Sequence, residues 1–172
     1  MGKGIDMKKL LLLTAVSALV LSAGNSFADS KSANATVEAT IVGAGSITKS
    51  QDMNFGTIVS SNQAQVAKLS PNGDLSGVTS ARGDTVEAAE FTITGDEGMP
   101  YTLTVTSTEL TNGVNKMSLS NYVILVNDAT YVGSDNTLQA DGDVVKVGAD
   151  LNIGANQASG DYTGTLTLTM SY

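Results

Sequence analysis

The side chains that could do chemistry in this 172-residue chain are carboxylates and hydroxyls: it has 17 acids and 9 bases, and neither histidine nor cysteine. That composition removes the Ser–His pair, the thiol nucleophile and the imidazole or thiolate metal set. Paired carboxylates remain, and in glycosidases such a pair divides the work of acid and base. Asp96 beside Glu97, and Asp141 near Asp143, are the candidates. Both pairs lie in glycine-containing turn sequence, where acids ordinarily solvate a β protein's surface. The expectation is therefore no enzyme, no catalytic residue and no cofactor.

Metal binding fares little better. Asp135-Asn136 and Asp141-Gly142-Asp143 place several oxygens close in sequence, but they lack the EF-hand spacing and its closing glutamate. No metal ligand is expected. Arg82-Gly83-Asp84 spells a receptor-binding tripeptide, yet three residues match often by chance, and loop composition accounts for them.

The first 28 residues read as an address. Lys8 and Lys9 precede an apolar run from Leu10 to Leu21, and Ser26-Phe27-Ala28 supplies small residues for a signal peptidase. A secretory signal peptide over 1–28 leaves one domain over 29–172, a typical domain length. Lys3, Lys8, Lys9 and Asp6 leave with it, taking the net charge from −8 to about −10. Such a surface repels nucleic acid and anionic lipid. No later stretch is long and apolar enough for a membrane helix. An exported product is expected, periplasmic, extracellular or at the cell surface, with no nucleic-acid partner and no membrane span in the mature form.

The elements beyond residue 28 alternate with a period of two, as half-buried strands do. Ala35, Val37, Ala39 and Ile41 do so, as do Ala89, Phe91 and Ile93, and then Tyr101, Leu103 and Val105 after a turn at 95–100. The last two runs predict a hairpin. Residues 122–127, YVILVN, are more continuously apolar and predict an inner strand. Turn sequences at 71–74, 112–113 and 141–143 separate the runs. With no convincing amphipathic helix, the fold class is all-β: a single antiparallel sandwich, immunoglobulin-like or jelly-roll-like.

Both ends of that domain look like strands. The C-terminal one puts Tyr162, Leu166, Leu168, Met170 and Tyr172 on one face and Thr163, Thr165, Thr167, Thr169 and Ser171 on the other. The N-terminal one, Ala35 to Ile41, follows a short polar tether. If it pairs within its own domain, the molecule is a free secreted sandwich. If it completes the sheet of another copy, the contact is head-to-tail and propagates.

Three stretches carry a resemblance: MNFG at 53–56, AEFTITG at 89–95, and VGADLNIGANQASGDYTGTLTLTMSY at 147–172. They resemble a bacterial family of exported β-sandwich proteins catalogued as a domain of unknown function, itself similar to fimbrial subunits of the chaperone–usher type. That resemblance implies a non-enzymatic structural subunit. Its final strand, with Gly160 and Tyr172 in the matching places, would be read by a periplasmic chaperone, and an N-terminal extension would be the donor strand. The expected partners are therefore copies of the same chain or an assembly chaperone. The alternative function is a monomeric secreted or surface-associated sandwich that binds a glycan or a protein through its loops.

Overall fold

The computed structural model describes residues 33–41, 43–80, 85–133 and 136–172. The expected signal peptide, the Arg82-Gly83-Asp84 tripeptide and Asp135 lie outside the described residues. Residues up to Thr40 form one unit and Ile41–Tyr172 another.

The second unit is all-β, with no helix among the described residues. In chain order its strands are β1 (Ser46–Gln51), β2 (Gln65–Leu69), β3 (Leu75–Ser76), β4 (Ala89–Thr94), β5 (Pro100–Ser107), β6 (Leu110–Asn112), β7 (Asn115–Val126), β8 (Ala129–Thr130), β9 (Asn136–Thr137), β10 (Asp143–Ile153) and β11 (Leu166–Ser171). They make an eight-stranded sheet and a three-stranded one ordered β11-β5-β9, all pairs antiparallel.

The larger sheet is built around β10, the most buried strand. One of its edges pairs with β7; the other takes β4 along Asp143–Val147 and then β2 along Ala149–Ile153. Gly148 sits where the partner changes. A Cβ there would run into the Leu69 carbonyl and Pro71, so only glycine lets the two backbones come this close. The turns follow their residues. Asn127 and Asp128, both at positive φ, form the two-residue loop between β7 and β8, as a type I′ hairpin requires. Gly113, at φ 59°, opens the loop between β6 and β7.

The two sheets share a core of Phe91 and Ile93 from β4, Tyr101 and Leu103 from β5, Val145 and Val147 from β10, and Leu168 from β11. Each fully buried side chain of this size contributes about 1.5–3 kcal/mol. A second cluster, Phe55, Ala67, Leu69, Leu151 and Ile153, fills the other end.

Several expectations are corrected. β4 and β5 are not a hairpin: β4 pairs with β1 and β10 in one sheet, and β5 with β11 and β9 in the other. The turn at 95–100 carries the chain across the sandwich, so the two alternating runs face each other through the core. Asp143 is not a surface acid but only 1% exposed. Residues 33–41 form no strand and are exposed, Val37 at 91% and Ile41 at 94%, apart from Val42 beyond them, which is not described. A lone alternating segment has only water for its N–H and C=O groups until a sheet edge is offered.

Candidate functional site

β11 has a partner on one side only. Its register with β5 pairs Leu166 with Ser107 and Met170 with Leu103. Just beyond, the Thr108 N–H donates to the Thr165 carbonyl at 2.9 Å, and the Thr165 N–H donates to Thr108 Oγ1 at 2.9 Å. Antiparallel ladders alternate bonded and non-bonded pairs. Thr167, Thr169 and Ser171 therefore bond toward β5, and the N–H and C=O groups of Leu166, Leu168 and Met170 point the other way. No strand among the described residues pairs with that outer edge.

The same alternation sends the Leu103 N–H of β5 away from β11, where it donates to Tyr131 Oη at 2.6 Å. Further along this edge Tyr101 and Pro100 pair with β9, and Ser107 Oγ shares a 2.5 Å hydrogen bond with Tyr122 Oη. The smaller sheet is thus covered beyond β5 at Pro100, Tyr101 and Leu103, whereas beyond β11 no strand pairs among the described residues.

Among the described residues β1 is likewise bonded only to β4; Gly45 just before it meets Met170 and Tyr172, and its Lys49 and Gln51 line a cleft together with Leu166. The two edges converge at one pole. A Cβ on Gly45 would collide with Tyr172 Oη and Met170 Cε, and the Gly43 N–H donates to Asp96 Oδ2 at 2.5 Å. At the other pole they part around a cleft of about 430 Å³. Met53, Phe55, Phe91, Leu110, Leu119 and Leu166 give it apolar walls, and the surface ion pair Lys49–Asp52, 2.6 Å, stands at its mouth.

The residues expected on the inner face of the last strand divide. Leu168 is buried at 8%, with Leu166 and Met170 half-buried against the same core. Tyr172 lies beyond the end of β11 and is 62% exposed, and Tyr162 lies before its start. Tyr162 instead receives a hydrogen bond from Gln157 Nε2 at 2.9 Å and donates to the Ala158 carbonyl at 2.8 Å, holding the loop that borders the cleft. Gly164 has the Glu109 carbonyl and Leu110 Cα against it, an approach that a side chain would crowd. The N-terminal residues Ala35, Val37, Ala39 and Ile41 are exposed.

The cleft walls went unnoticed in the sequence, because Leu110 and Leu119 meet Met53 and Phe55 only through the fold. The alternation of Met53 and Phe55 was the one local signal.

Of the candidate acids, Asp96, Glu97 and Asp141 are exposed and Asp143 is buried. Buried Asp143 accepts from Tyr101 Oη at 2.6 Å and from Asn127 Nδ2 at 2.7 Å. Burial, then the bond to Asp143, pushes the Tyr101 hydroxyl well above its ordinary range. This is a buried carboxyl group with a donor on each oxygen, tying β5 of one sheet to β10 of the other. Among the described residues no group of three acids could hold a metal ion.

An antiparallel sandwich whose edge strands β1 and β11 each pair on one side only among the described residues, with a cleft between them, is the class that fold and site define. The chain belongs to the DUF4402 family, a domain of unknown function, which residues 46–172 match. The match spans every strand from β1 to the C-terminus. No curated protein and no solved structure matches the chain.

Proposed function

We propose that this protein is a non-enzymatic, exported structural subunit of fimbrial type that assembles by β-strand addition. Residues 35–41 of one copy lie along the outer edge of β11 in another. The observation that supports this most is the open edge of β11 beside an apolar cleft, in a chain whose exposed N-terminal segment alternates apolar and polar residues without a strand partner. An unpaired edge with apolar surface beneath it is a template for an added strand. Before assembly the same edge suits a strand from a periplasmic chaperone, which would shield it from premature pairing.

Deleting residues 29–41 tests the reading. Electron microscopy of the purified, exported protein should show filaments from the intact chain and none from the deletion variant, which still folds. Filaments that survive the deletion would refute the assignment of this segment as donor. An intact chain that stays monomeric at every concentration would favour a sandwich that binds through its loops.

A further inference from the structure

Asparagine stands directly before glycine at Asn72-Gly73 and at Asn112-Gly113. Glycine has no Cβ to shield its nitrogen, so in such pairs the backbone nitrogen can attack the preceding side-chain amide. We propose that Asn112 is a site of enzyme-free modification in the folded protein, converting through a cyclic imide to aspartate or isoaspartate, and that the fold protects Asn72 from the same reaction. The proposal stands independently of strand addition.

In the first step the Gly113 nitrogen bonds to Asn112 Cγ and the Cγ–Nδ2 bond breaks. The proton of that nitrogen leaves with the amino group as ammonia. Water then opens the ring. Its attack at Cγ gives aspartate; its attack at the main-chain carbonyl gives isoaspartate, with one more carbon in the backbone. Either product has exchanged an NH for an oxygen and, once ionised, carries a new negative charge.

The two turns differ at the attacking nitrogen. The Gly73 N–H donates to the Ser70 carbonyl at 3.0 Å, in a turn also closed by the Ser70 N–H on the Asp74 carbonyl at 2.9 Å. That nitrogen cannot give up its proton or swing toward Asn72 until its bond opens. Gly113 instead leads the exposed two-residue loop between β6 and β7. Among the described residues no backbone carbonyl accepts its N–H. The carbonyl of the same peptide unit is hydrogen-bonded: Asn115 Nδ2 donates to the Asn112 oxygen at 3.4 Å. A donor there favours the deprotonated peptide, as hydrogen bonding to a charged form does.

The product would not be silent. Asn112 Nδ2 lies against Gly160, where an added Cβ would collide with it. A carboxylate formed at that place stands against the chain neighbour of Asp161, so like charges gather at the loop that Tyr162 holds through the Ala158 carbonyl.

Purified full-length protein is kept at mildly alkaline pH in water enriched in heavy oxygen, both folded and in denaturant. Peptide mapping by mass spectrometry reads the label at residues 112 and 72. In the folded protein Asn112 should convert at least about fivefold faster than Asn72, the factor that one hydrogen bond supplies. In denaturant the two rates should come together. Equal folded rates, or a lead for Asn72, overturn the proposal. A lead for Asn112 that persists undiminished in denaturant also overturns it, because local sequence and not the fold would then be the cause.

Discussion

The two outer edges of the smaller sheet are made of similar strands and finished in opposite ways. β5 and β11 both alternate threonine with large apolar residues, and they pair in register over six positions. On the far side of β5, a short β9 pairs with Pro100 and Tyr101, and the Tyr131 hydroxyl takes the Leu103 N–H. On the far side of β11 no strand pairs among the described residues. Proteins ordinarily blunt such an edge with charge, proline or a bulge, and Leu-Thr-Leu-Thr-Met-Ser offers none of these. The contrast teaches that a two-residue strand and one tyrosine hydroxyl can cover part of an edge, and that among the described residues β11 receives neither.

Three variants probe that contrast, beginning with the largest effect. Leu168→Asp places a carboxylate where β11 is anchored to the core. The stability loss should exceed about 3 kcal/mol, seen as absent secretion or a collapsed thermal transition. Normal yield would mean that β11 is held by its ladder alone.

Tyr101→Phe, on the closed side, leaves one Asp143 oxygen without its donor and should cost about 1–3 kcal/mol by chemical denaturation. It also has a pH signature. The Tyr101 hydroxyl is raised in the folded state, so its contribution is complete below the unfolded tyrosine value, about 10, and fades as pH climbs beyond it. The wild-type thermal midpoint should fall above that pH, and the variant should fall less. Equal alkaline slopes would contradict the assignment.

The smallest change, Tyr131→Phe, removes only the acceptor of the Leu103 N–H, worth about 1 kcal/mol. Its readout is local: amide exchange at Leu103 should rise toward the rate of the outward amides of Leu166, Leu168 and Met170. Continued protection of Leu103 would mean that the tyrosine does not close that edge.

The strands themselves were legible in the sequence, because alternation reports burial on one face. Ala89, Phe91 and Ile93, or Tyr101 and Leu103, face the core as their spacing says. Sheet membership was not, since a period of two is the same whether the partner is the next strand or one fifty residues away; hence the mistaken hairpin of β4 and β5. Asp143 follows Gly142 in a turn sequence like any surface acid. Only Tyr101 and Asn127, 42 and 16 residues away, make its burial tolerable. The candidate site was half readable. The apolar residues of the last strand were visible, but an open edge is defined by what does not pair with it, and that requires the finished topology.

The joint at Gly43–Gly45 has a mechanical consequence. The N-terminal segment enters the domain through β1, so a pull on that segment reaches β1 at its leading end, and one directed along the strand loads it in shear. The five Cα pairs that join β1 to β4 then share the load and must yield together, whereas a pull across the strand would peel them off one at a time. Under such tension, the lifetime of the fold is set by the barrier to this concerted shear, and the bond from Gly43 to Asp96 is the first to feel it.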